Sequence, residues 1–150
     1  MWKDKLEEIK NLNIIFGEEI NDGATEQDIE VFLEKIGNKA IESALCEYIP
    51  FLKSVNGFEF NGFILYGIDS NLLTYIPKQQ INGFIDNNEV WNENDWQKSY
   101  LFLGDSSDSW YVYDLDSKKY NELNKPSGDI VETYDDIDAL LDKVLGDALG

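Results

Sequence analysis

The chain has 150 residues, of which 43% are hydrophobic, which suits one domain with a single core and is too short for two. Its 30 acidic residues outnumber 12 basic residues, all of them lysine, and the formal net charge is −18. Nucleic acids and anionic membranes attract basic surfaces, so this charge excludes both as expected partners and favours a basic protein or a cation.

Amphipathic helices are predicted in the first third of the chain. Apolar residues at helical spacing indicate a helix over residues 2–12, followed by a loop from Ile14 to Ala24. A second helix is predicted from Thr25, where Asp28 three residues later suggests a capping box, to a stop at Gly37. The same spacing continues over residues 39–55 across Pro50, which predicts one kinked helix.

Strands are predicted in the middle of the chain. The Asn61-Gly62 pair lies between two aromatic runs, which predicts a β-hairpin over residues 58–67. A short helix is expected at 81–91, before the next strands. These strands are predicted at residues 100–103, 110–113 and 119–123, with a short edge strand at Ile130 and Val131.

The end of the chain predicts a helix with one apolar stripe. Thr133 is followed three residues later by Asp136, which suggests a cap, and apolar residues then recur at helical spacing from Ile137 to Leu145. This order of elements predicts a single α+β domain over residues 1–150. We expect a central antiparallel sheet flanked by N-terminal helices and a C-terminal helix.

Residue types that commonly perform catalysis are scarce. The chain has no histidine, which removes the commonest general base and metal ligand. Its single cysteine, Cys46, can form no internal disulfide, and the neighbouring Glu42 and Glu47 would blunt it as a nucleophile. We therefore expect no enzymatic activity and no cofactor, and we expect a cytoplasmic location because neither an apolar signal segment nor a disulfide framework is visible.

Paired acids in two turns could be interpreted as calcium ligands. Asp105 with Asp108, and Asp114 with Asp116, lack the third ligand, the central glycine and the closing glutamate of a calcium-binding loop. Aspartate is also a common turn former, so we expect no metal at these positions. A carboxylate-only enzyme or a calcium-dependent binder remains a third alternative for the chain.

Several segments together resemble the SUKH superfamily, which is named for a yeast cell-wall (glucan) synthesis regulator. Residues 51–57, which end in Asn-Gly, and residues 62–69 resemble the family's helix end and the strand that follows it. Trp91, residues 103–105 and residues 110–114 resemble its second sheet motif. The resemblance implies a non-enzymatic fold, and its bacterial members are immunity proteins that neutralise toxins, often nucleases.

We therefore expect an immunity protein that binds a basic toxin domain through acidic loops and exposed aromatic residues on one face of the sheet. The expected contact residues are Asp69, Asp105, Asp108 and Trp110, because they lie at the ends of predicted strands. The tryptophans near these loops could equally form a lid over the core. A regulatory scaffold that binds housekeeping proteins, like the family's eukaryotic members, is the alternative function.

Overall fold

The computed structural model describes residues 1–150. Its helices are α1 (Trp2–Ile15), α2 (Glu26–Ile36), α3 (Lys39–Leu45), α4 (Ile49–Ser54), α5 (Phe84–Trp91) and α6 (Ile137–Leu149). Its strands are β1 (Phe58–Phe60), β2 (Phe63–Leu65), β3 (Tyr100–Asp105), β4 (Ser109–Asp114), β5 (Tyr120–Asn124) and β6 (Ile130–Tyr134). Short 3-10 helices lie at Ser70–Leu72 and Asp95–Ser99. None of the helices combines the length and the apolar composition needed to cross a membrane.

The strands form one six-stranded sheet in which each strand pairs antiparallel with the next one along the chain. The predicted α+β fold with an antiparallel sheet is therefore confirmed. At the tip of the first hairpin, Asn61 has φ 51° and Gly62 has φ 82°. A two-residue turn of this kind needs left-handed backbone at both positions, and Asn-Gly supplies it at low cost.

The predicted helix over residues 39–55 is wrong, because α3 ends at Leu45 and α4 starts at Ile49. Pro50 lies in the first turn of α4, where a missing N–H costs no helical hydrogen bond. In a continuous helix, its ring would clash with the carbonyl of Cys46, four residues earlier. The proline therefore restarts the helix instead of kinking it.

The two predicted helix caps have different outcomes. At α2, the Asp28 N–H donates to Thr25 Oγ1 at 3.1 Å and the Thr25 N–H donates to Asp28 Oδ2 at 2.9 Å, which confirms the capping box. At α6, Asp136 is itself the N-cap and accepts the Ala139 N–H at 2.8 Å. Thr133 belongs to β6, where its hydroxyl donates to Asn121 Oδ1 at 2.9 Å, so the predicted Thr133 cap is wrong.

Helices cover both faces of the central strands, whereas the edge strand β6 stays exposed. The Trp110 ring in β4 lies 5.5 Å from the Trp91 ring at the end of α5 and 5.9 Å from the Trp96 ring, between centroids. The α6 helix packs against β5, β6 and α1. Adjacent residues in a strand point to opposite faces, so α5 and the 3-10 helix at Asp95–Ser99 cover one face and α6, packed on α1, covers the other.

Asn88 of α5 closes the part of the β3 edge that β2 leaves open. The pairing of β2 with β3 involves Asp105 and Gly104 only, so the outer backbone groups of Phe102 need another partner. The Asn88 side chain is buried, and its Nδ2 donates to the Phe102 carbonyl at 2.9 Å while its Oδ1 accepts the Phe102 N–H at 2.8 Å. One amide thus takes the place of a neighbouring strand.

Replacing Asn88 with alanine should lower the free energy of unfolding by about 3 kcal/mol, because it leaves two buried backbone groups of Phe102 without hydrogen-bond partners. Urea denaturation followed by circular dichroism measures this loss. The matched control is Asn11→Ala, since Asn11 is exposed on α1 and should change stability by less than about 0.5 kcal/mol. Equal, small effects of both substitutions would contradict the bridging role of Asn88.

Burial raises the pKa of every one of the eight tyrosines above the ordinary value of 10.0. Burial disfavours the phenolate, and nearby carboxylates add to the effect, as Asp105 does at Tyr66. For Tyr111 the pKa rises to about 12. The folded state therefore keeps its phenols neutral where the unfolded chain would ionise them.

This difference predicts unfolding at high pH. The stability from neutral phenols is fully present below the unfolded pKa of about 10 and is lost as pH rises through the folded values, which for Tyr111 is about 12. An alkaline titration should show phenolate absorbance rising steeply together with the loss of the circular dichroism signal. In concentrated guanidinium chloride, the same residues should titrate near pH 10. Phenolates that form near pH 10 in a chain that stays folded would contradict this account.

Candidate functional site

Asp69, the first of the expected contact residues, is engaged inside the fold. It is 2% exposed, and its carboxylate accepts the N–H groups of Ile85 and Asp86, each at 3.0 Å. Gly83 precedes α5 and offers no side chain as a cap, and a Cβ there would lie 2.5 Å from Asp69. Burial raises the pKa of Asp69, and the hydrogen bonds from the N–H groups of Asp86 and Ile85 partly offset this rise. Asp69 therefore caps α5 from a distant position in the chain.

Asp105 and Trp110 belong to a cluster around one lysine, which we call the Lys125 cluster. Lys125 Nζ lies 3.2 Å from Asp105 Oδ1, 5.0 Å from the Trp91 ring centroid and 5.8 Å from the Trp110 ring centroid. The Tyr66 hydroxyl donates to Asp105 and accepts the Trp91 Nε1–H at 2.9 Å. The cluster links the turn after β5 to the turn between β3 and β4.

The indole of Trp110 is 4% exposed, so the expectation of an open indole beside the acids is wrong. Trp91 and Trp96 pack against it, which makes the three tryptophans a lid on this face of the sheet. Only Asp108 of the four expected residues is exposed. The structure brings Asp105, Asp108 and Trp110 together at one turn and places Asp69 at the other end of α5.

The largest continuous run of exposed apolar side chains lies where α1 ends. Ile14, Ile15 and Phe16 are all exposed, Phe16 by 72%. The buried face of α1 already carries Trp2, Leu6, Ile9 and Asn13. Ile14 and Ile15 lie off this buried face and Phe16 follows the last helical residue, so the run stays outside the core.

A second exposed apolar segment lies beside this run. Tyr75 and Ile76 precede α5, and Ile76 is 82% exposed. The segment is held in place by Asn21, whose Oδ1 accepts the Gln79 N–H at 2.6 Å and whose Nδ2 donates to the Gln79 carbonyl at 3.2 Å. A groove lined by Ile14 and Lys78 adjoins another lined by Ile76 and Lys78.

Acidic side chains surround both segments. Lys78 Nζ lies 3.4 Å from Glu19 and 3.2 Å from Asp22, whereas Glu18 and Glu59 have no ion-pair partner in the chain. We call the whole region the α1-end surface. It consists of Ile14, Ile15, Phe16, Glu18, Glu19, Asp22, Glu59 and residues 75–79. An apolar centre with a charged rim is the usual anatomy of a protein–protein interface, and this rim suits a basic partner.

This surface was not predicted from the sequence, because the glycine and asparagine residues in 14–24 indicate an ordinary loop. The available signal was three consecutive apolar residues, Ile14, Ile15 and Phe16, directly before Gly17 in a stretch predicted to be exposed. Consecutive large apolar residues are unusual in an exposed loop, so this run is a signal that favours a surface for contact with another protein.

No protein-family model matches the chain, and no curated protein matches it either. The resemblance to the SUKH superfamily stays a prediction drawn from the sequence.

Replacing Lys125 with methionine keeps the apolar stem but leaves the Asp105 carboxylate without its cation in a largely buried position. We expect a loss of about 2 kcal/mol in the free energy of unfolding, measured in urea. Lys39→Met is the control, because Lys39 is exposed and forms no ion pair. A stability unchanged by the Lys125 substitution would show that the cluster does not stabilise the turns.

Proposed function

We propose that the chain is a non-enzymatic binding protein of SUKH type, an immunity protein that neutralises a cognate bacterial toxin through the α1-end surface. The observation that carries this proposal is the exposed run Ile14, Ile15 and Phe16 beside unpaired acids. Stable monomers seldom leave a continuous apolar patch in water, and such patches commonly mark sites of protein contact.

The charge of the chain supports a basic partner. A net charge of −18 attracts a cationic protein over a long range and speeds the encounter of the two molecules. A nuclease toxin binds a polyanion and therefore carries a basic groove. An acidic protein that covers this groove blocks the access of nucleic acid, which is how the proposed neutralisation works.

The two apolar segments supply the binding affinity that charge alone does not provide. Exposed ion pairs contribute little to affinity because water and salt screen them, whereas large apolar side chains excluded from water dominate most interfaces. Phe16, which is 72% exposed, and Ile76, which is 82% exposed, are the candidates for such anchors in this region. The acids around them then orient the partner.

The direct test is co-expression of the chain with the toxin domains encoded beside its gene. We expect growth to be rescued by one of these pairs, and the purified pair to bind in a calorimeter. If no neighbouring toxin is neutralised or bound, the immunity proposal fails.

For a rescued pair, the double substitution Phe16→Glu/Ile76→Glu should weaken binding at least about 100-fold, because it removes two apolar anchors and places like charge in the patch. Both side chains are exposed, so unfolding in urea should change little. Val90→Glu is the control, since Val90 is exposed on α5 outside this surface. Calorimetry that shows Val90→Glu weakening binding as much as the double substitution would contradict the assignment of the surface.

A further inference from the structure

A groove of about 580 Å³ extends the α1-end surface towards the end of the chain. It lies between the last turn of α1, the β1–β2 hairpin and the end of α6. Its apolar walls come from Leu12, Phe16, Phe60 and Leu149. Its charged groups are Glu18 and Glu59, which come from separate walls.

Hydrogen bonds join the walls of this groove to one another. At the hairpin tip, Asn61 Nδ2 donates to the Ala148 carbonyl near the end of α6 at 2.7 Å. Along β1, the Gln79 amide pairs with the Glu59 backbone, donating to its carbonyl at 3.0 Å and accepting its N–H at 3.2 Å. The sheet edge at Glu59 is therefore already satisfied. A partner strand cannot add to it, so the groove is suited to a side chain.

The residues that line the groove are complementary to a cationic side chain with an apolar stem. Neither Glu18 nor Glu59 has an ion-pair partner, and the aromatic rings of Phe16 and Phe60 belong to the same groove. Arginine fits this set because its methylene stem packs on apolar walls, its planar guanidinium stacks on aromatic rings and its donors match a carboxylate in pairs. Lysine offers a compact, strongly hydrated charge without the planar fork.

A buried amide in the groove wall adds an independent observation. Asn13 lines the groove and is 2% exposed, and its Nδ2 has no hydrogen-bond partner. A buried donor without an acceptor is costly, and most such groups in folded proteins are paired. The Asn13 amide therefore lies next to the groove with its hydrogen-bonding capacity unused, and its signal reports on binding there.

We infer that this groove binds an arginine side chain carried by a protruding loop of the basic protein partner, with Glu18 and Glu59 as the carboxylates that receive the guanidinium. The inference rests on the proposed function and specifies which partner group enters the surface. A metal ion is a poorer occupant, since the groove has only two carboxylates and no three histidine, cysteine, aspartate or glutamate side chains come together in the chain to hold one. A second copy of the chain is disfavoured because both copies carry a net charge of −18.

The test uses the full chain labelled with nitrogen-15 and three small probes, the N-acetyl N-methylamides of arginine, lysine and glutamate. We expect the arginine probe to shift the side-chain amide signal of Asn13 and the backbone signals of Phe16 and Glu59, with weaker shifts from lysine and none from glutamate. Glu18→Gln/Glu59→Gln should weaken arginine binding about tenfold. Glu7→Gln/Glu8→Gln removes the same charge from exposed positions of α1 outside the groove and should leave binding unchanged.

Two patterns of arginine binding would overturn the inference. One is a set of shifts spread evenly over the acidic surface, and the other is equal weakening of arginine binding by the control pair of substitutions, since both indicate attraction to the net charge alone.

The outcome of this test is separable from the outcome of the test of the proposed function. If the arginine probe does not bind the groove while a toxin still binds through Phe16 and Ile76, the groove inference fails and the immunity proposal stands. If the arginine probe binds the groove and no toxin is bound, the groove inference stands and the immunity proposal fails.

Discussion

The hydrogen bonds that the buried Asp69 carboxylate accepts from Ile85 and Asp86 hold the start of α5, and the covering of one sheet face depends on them. Once α5 is in place, Asn88 reaches the open part of the β3 edge and Trp91 reaches the Trp110 ring. Aromatic side chains that would otherwise face water then become part of a core of 31 buried residues. The central strands therefore have no open face for a partner, because α6 and α1 occupy the other side, and only the edge strand β6 stays exposed.

This arrangement decides where a partner can bind. Acidic residues lie over much of the surface, so a net charge of −18 attracts a basic protein without selecting one place. Selection needs apolar side chains that remain exposed, and the run from Ile14 to Phe16 with Tyr75 and Ile76 provides them beside acids. In the proposed complex, the charge governs the rate of encounter and the apolar residues govern the strength of binding.

Local chemistry explains which parts of the fold were predictable. The Thr25 capping box and the Asn61-Gly62 hairpin depend on residues within four positions of each other, and both were predicted correctly. The role of Asp69 depends on a contact 16 residues away, which no local pattern shows. Trp110 looked like an exposed indole because its neighbours in the chain are polar, whereas its burial is due to Trp91 and Trp96 from another segment. At Pro50, the same apolar spacing fits a kinked helix or two short ones, and the steric clash of the ring decides between them.

The central claim is that a partner binds at the end of α1 and not on the covered sheet. Hydrogen exchange of the chain, free and bound to the toxin proposed as its partner, tests this claim most directly. The account predicts that binding slows exchange at residues 14–19 and 75–79 and leaves the turn at residues 105–109 unchanged. Slower exchange at that turn, with no change at the end of α1, would contradict it.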